Sequence, residues 1–131
     1  GSADDAAEIG LLTGLAHKLV DDALDLERTA AEPGKDAFQD LRLGNPTLPL
    51  LRALASDPSG AARRDLLAVW EGAPGADPGA LARRLVEEGV TRSVRADCRE
   101  TVERALSLAR TLPIAPSALE SVLGGLAARD R

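Results

Sequence analysis

One apolar stripe constrains the fold more than any other feature of this chain. Ile9, Leu12, Ala16, Leu19, Ala23 and Leu26 recur at spacings of three and four residues. That period predicts one long α-helix over 3–30, not a strand, whose apolar positions would alternate. A second stripe, Val90, Val94, Cys98, Val102, Ala105, Leu106 and Ala109, predicts another long helix over 90–111. The apolar residues are mostly Ala, Leu and Val, with one Phe, one Trp and no Tyr, so the core must be aliphatic. Leu and Ala favour helix, and β-branched residues are few. A length of 131 residues is enough for one domain with a real core, so the expectation is a single all-α helical domain over 1–131.

Between the two stripes the punctuation is local. Pro33-Gly34 breaks the first helix, and 31–46 reads as a polar loop, longer than most connections. Thr47 is placed to N-cap the next helix, with Pro49 in its first turn, and that helix ends near Ser56. Asp57-Pro58-Ser59-Gly60 is a turn, and 61–71 forms a short helix carrying Trp70. Asp77 can cap a helix over 78–88, which Gly89 closes. Leu112-Pro113 stops the long helix, and a last one over 117–129 turns Leu119, Val122, Leu123 and Leu126 inward. The sum is a six-helix bundle with short connections. Gly10 and Gly14 lie four apart in the first helix, suited to close contact with a neighbouring helix or to backbone room beside a ligand.

Charge excludes some functions. Sixteen basic and 21 acidic residues give a net charge of −5, which argues against general nucleic-acid binding. A single cysteine, Cys98, rules out an intramolecular disulfide and suits a reducing, cytoplasmic setting. No apolar run is long enough for a membrane span, and no signal peptide is visible. The opening Gly1-Ser2 reads as an added remnant or a cut end, and the natural chain is expected to start further upstream.

The chemistry-bearing residues lie between Lys18 and Pro49. Asp21, Asp22 and Asp25 crowd one side of the first helix, Asp21 and Asp25 being i, i+4 and about 6 Å apart along its axis. Carboxylates this close repel one another unless a cation or water screens them. Mg²⁺ takes oxygen ligands of this kind and bridges them to phosphates. The alternative is a solvated acidic face. Gly34-Lys35 follows, then Asp40-Leu41, then Gly44-Asn45-Pro46-Thr47-Leu48-Pro49. Lys35 can meet a phosphate as a point charge, or can be an ordinary surface lysine. Carboxylates, lysine and polar loop together make up what a metal-bridged diphosphate site needs.

These residues resemble the C-terminal half of the trans-isoprenyl (polyprenyl) diphosphate synthases. That family carries a second aspartate-rich motif, D-D-x-x-D, which stands here as Asp21-Asp22-Ala23-Leu24-Asp25 after Gly14-Leu15-Ala16 and Leu19-Val20. Its following G-K…D-L-x-x-G-(K or N)-x-T-L-P signature is matched by Gly34-Lys35, Asp40-Leu41, Gly44-Asn45 and Thr47-Leu48-Pro49. Gly89-Val90 and Leu112-Pro113 also sit where the family places similar residues. The resemblance implies an isoprenoid-synthase-type fold with a central cavity and two facing aspartate-rich helices. It implies Mg²⁺ as cofactor, with Asp21, Asp22 and Asp25 as its ligands. It implies that Lys35 contacts the allylic diphosphate. Lys18, Lys35, Asp40 and Thr47 are the candidates for binding substrate, Lys18 and Lys35 being also the candidates for acting on the diphosphate. In such enzymes an allylic diphosphate ionises, and the double bond of isopentenyl diphosphate attacks the resulting cation.

Three departures stand beside the resemblance. His17-Lys18 replace the family's usual Phe-Gln, so Lys18 either binds diphosphate in place of the glutamine or marks a changed site. His17 is expected to be a partly buried structural residue, with a catalytic base as the alternative. Asn45 stands where many members have Lys, a variation the family tolerates. The family's first aspartate-rich motif is missing: Asp4-Asp5 is not followed by a third aspartate at the motif spacing. The expected function is therefore the C-terminal part or subunit of a Mg²⁺-dependent prenyltransferase, inactive alone. Its partner is a chain supplying the first motif, or a second copy, because a half-bundle exposes apolar helix faces. The competing readings are a non-catalytic helical subunit on the same scaffold and a fragment of a terpene cyclase.

Overall fold

The computed structural model describes residues 2–32, 47–112, 120–121 and 123–125. Every regular element among them is an α-helix, and no strand occurs. We number the helices α1 (Ser2–Ala31), α2 (Leu48–Ala55), α3 (Ala61–Glu71), α4 (Pro78–Glu87) and α5 (Val90–Ala109). Residues 120–121 and 123–125 are also helical, within the span predicted for the sixth helix. Each boundary of α1 to α5 lies within two residues of the sequence expectation. The Pro33-Gly34 break and the 33–46 part of the loop lie outside the described residues. No described helix is long and apolar enough to cross a membrane.

The chain forms two compact units, Gly1–Asp21 with Val94–Arg131, and Asp22–Ser93. In the first, most positions of the predicted stripes are buried, Ile9, Ala16 and Leu19 from α1 and Val94, Cys98, Val102, Ala105 and Ala109 from α5, while Leu12 and Leu106 are half-buried. Two contacts tie these helices together. The Cys98 thiol donates to the Ala16 carbonyl at 3.5 Å, and Arg104 pairs with Glu8 at 2.7 Å. Burial pushes the Cys98 thiol above its ordinary pKa, against the pull of Arg95 and Arg99, so the sulfur keeps the proton it donates. Leu123 is fully buried, as the sixth-helix pattern requires.

The other face of α1 differs from expectation. Gly10 and Gly14 are exposed, and a Cβ built on either would meet nothing within 4 Å. Neither glycine accommodates a close helix contact among the described residues. Beside them Leu11 and Leu15 are 76% and 48% exposed. The physical reason is angular: these four positions fall outside the arc through which Ile9, Ala16 and Leu19 turn inward.

The second unit packs the end of α1 with α2, α3 and α4 around Leu26, Leu50, Ala53, Leu66, Val69, Leu81, Ala82, Leu85 and Val90. Fully burying one such leucine contributes about 1.5–3 kcal/mol, so this aliphatic cluster needs no aromatic residue. Polar caps fix where the helices begin. Asp77 accepts the Ala80 N–H at 3.1 Å, and Pro78 occupies the first turn of α4, both as predicted. Gly89 follows the Glu88 C-cap with φ +89°, a left-handed conformation that side-chain-bearing residues rarely adopt. Thr47 does N-cap α2, with its carbonyl receiving the Leu51 N–H at 3.1 Å, but its hydroxyl makes no capping bond. Across α3 and α4, Arg84 pairs with Asp65.

Candidate functional site

Helix α1 runs unbroken through Lys18, Asp21, Asp22 and Asp25, so the carboxylates occupy a helix interior. Aspartate is a poor helix former there, because every nearby backbone N–H is already bonded and none is left for it to cap. The local fold thus gains little from these three residues.

Lys18 and Asp21 belong to the first compact unit, and Asp22, Asp25 and Thr47 to the second. Lys18 is exposed. Asp21 is partly exposed and meets His17 Nε2 at 3.0 Å, an i, i+4 pair. This corrects the expectation for His17: its side chain is 56% exposed rather than partly buried, and it holds a motif carboxylate. The four-residue spacing of His17 and Asp21 is the signal in the sequence that marks this pair. Asp25 lies 4.0 Å from Arg28, with both side chains more than half exposed. Asp22 is different, only 5% exposed and engaged by neighbouring groups. Thr29, one turn beyond Asp25, turns its hydroxyl back onto the Asp25 carbonyl at 3.0 Å.

The structure therefore brings His17 to Asp21 and Arg28 to Asp25. Lys35 and Asp40 lie outside the described residues. Thr47 sits at the start of α2 with extended backbone (φ −83°, ψ 161°), half-buried and with its hydroxyl uncommitted to the cap. No three His, Cys, Asp or Glu groups among the described residues form a ready-made metal cage. The donors at hand are carboxylate oxygens, two of them on partly exposed side chains one turn apart. Mg²⁺ is commonly held by one or two carboxylates and completed by water and phosphate oxygens. By chemistry this donor set fits such an ion, shared with a phosphate, better than a closed protein-only site.

The family model described as Polyprenyl synthetase matches residues 1–74, more than half of the chain and all of the stretch from Lys18 to Thr47. No curated protein and no solved structure matches the chain.

Proposed function

Because the chain belongs to the polyprenyl synthetase family, we propose that it supplies the second aspartate-rich half of a trans-polyprenyl diphosphate synthase. The single observation that carries this reading is the family match over residues that contain the complete D-D-x-x-D and the Gly-Lys to Thr-Leu-Pro signature. Prenyltransferase-type function follows from the family, and the roles of individual residues are our proposal. Asp21, Asp22 and Asp25 would hold Mg²⁺, which when bound offsets the charge that develops on a departing diphosphate.

The chain's own residues have complementary tasks. Lys18 and Lys35 contact the allylic diphosphate as cations and stabilise its negative charge as the carbon–oxygen bond breaks. Asp40 and Thr47 orient the substrate. The departing diphosphate keeps the electron pair of that bond. The double bond of isopentenyl diphosphate then supplies two electrons for the new carbon–carbon bond, and a proton leaves the adjacent carbon. His17, 3.0 Å from Asp21, positions that carboxylate.

The 131 residues hold one D-D-x-x-D. We propose that the first motif comes from another polypeptide segment or chain, and that these residues alone do not transfer a prenyl group. Incubation with Mg²⁺, isopentenyl diphosphate and an allylic diphosphate should yield no elongated product. Product from this chain by itself would overturn the two-part reading. The crowded carboxylates favour the synthase over a non-catalytic subunit, since they lower helix stability without a cation to bind. The Gly-Lys and Thr-Leu-Pro signature favours it over a terpene cyclase.

A further inference from the structure

The second unit contains a cavity that the aspartate motif does not use. It has a volume of ≈ 500 Å³ and is bounded by α2, α3 and the turn between them. That volume falls in the range of small-molecule pockets, about 300–1,000 Å³. Its α3 wall is a single face: Arg63, Leu66, Leu67 and Trp70 stand at i, i+3, i+4 and i+7. Its α2 wall is Leu50 and Leu54, also one turn apart. The face is polarised along the helix axis. A guanidinium stands at one end and an indole, 50% exposed, at the other, about 10 Å away at 1.5 Å per residue.

The two charged residues lining the cavity are not equivalent. Asp57 is fully committed: Oδ1 accepts the Ser59 N–H at 3.0 Å and its hydroxyl at 2.5 Å, and Oδ2 accepts the Ala62 N–H at 2.5 Å. Arg63 is exposed and makes no ion pair or hydrogen bond among the described residues. The available polar group is therefore one cation above an apolar trough. A guanidinium fork matches a carboxylate with two parallel hydrogen bonds. The fixed negative charge of Asp57 on the same wall disfavours a head bearing several charges.

We propose that this cavity binds a single-chain amphiphile with one terminal carboxylate, its chain along Leu50, Leu54, Leu66, Leu67 and Trp70 and its head on Arg63. The site needs no metal and does not depend on the prenyl diphosphate reading of α1.

Trp70 is the only tryptophan, and the chain has no tyrosine, so intrinsic emission reports on this cavity. Sodium dodecanoate, kept below its micelle concentration and without Mg²⁺, should shift Trp70 emission to the blue in a saturable titration. Arg63→Gln should weaken that binding about tenfold, the loss of one charge-assisted contact. Arg63→Lys should restore part of it. Arg63 is exposed, and an unchanged helical circular dichroism spectrum checks that the variants fold. Equal affinity for dodecanol would overturn the proposal, because the head would then contribute nothing. Tighter Mg²⁺-free binding of farnesyl diphosphate than of dodecanoate would also overturn it, in favour of a multiply charged head. A blue shift that appears with protein concentration alone would assign the trough to a second copy instead.

Discussion

Two groups of aspartates in this chain do opposite things. Asp57 and Asp77 stand just outside helix N-termini and accept backbone N–H groups, Ala62 and Ala80 respectively. Asp21, Asp22 and Asp25 stand inside α1, where no backbone donor remains for them. The first group belongs to the fold, because it satisfies donors that a helix start leaves open and opposes the positive end of the helix dipole. The second group has no such role. Its like charges at i, i+3 and i, i+4 oppose the helix that carries them. Side-chain pairing relieves part of this, through His17 at Asp21 and Arg28 at Asp25. An aspartate is thus read by its place in the helix before its neighbours in sequence are considered.

The sharpest test exchanges the expected losses of the two groups. Asp21→Ala should lower Mg²⁺-dependent binding of an allylic diphosphate at least tenfold by calorimetry, about 1.4 kcal/mol or more. Asp77→Ala should leave that binding unchanged. Equal binding by the wild type and Asp21→Ala would move α1 to the solvated-face reading. Stability should follow the reverse order. Asp77→Ala is expected to cost about 1 kcal/mol in urea unfolding, the usual loss of an N-cap. Asp21→Ala should stay within about 0.5 kcal/mol of the wild type. If Asp21→Ala proved the more destabilising of the two, the division between fold and function would fail.

The smallest effect is the acid response at α3. Asp57 is held below its ordinary value of 3.8, first by the Ser59 hydroxyl and then by the Ala62 amide. A carboxyl lowered by folding contributes fully above its unfolded pKa, and that contribution disappears as pH falls through the lower folded value. The Ala62 amide resonance should therefore titrate below the range of ordinary aspartates. A midpoint at or above 3.8 would mean that Asp57 does not hold this cap in solution.

Much of the helix plan was legible because its signals are local. The stripe through Ile9, Ala16 and Leu19 needs only the helical period, and it is buried as predicted. Asp77, Pro78 and Gly89 mark the ends of α4 by backbone chemistry that acts over three or four residues. The aspartate-rich motif was legible for a related reason, since a family signature is a set of spacings. Side-chain choices between alternatives were harder to read. Thr47 occupies the N-cap, yet its hydroxyl bonds no α2 amide. His17 looked like a residue to bury, and its exposure follows from the side of α1 on which it lies. The trough from Arg63 to Trp70 was also written at i, i+3, i+4 and i+7, but a stripe does not reveal whether a neighbour fills it.

The sequence alone determined that this chain is helical, where its described helices begin and end, and which residues are candidates for diphosphate chemistry. Those properties depend on periodicity, on capping and on motif spacing, each contained within a few turns of chain. Only the tertiary structure decided that Gly10 and Gly14 face open space, that Asp22 is buried while Asp25 is exposed, and that α2 and α3 leave a cavity between them. Burial and empty space depend on which surfaces meet, and residues distant in sequence set that jointly.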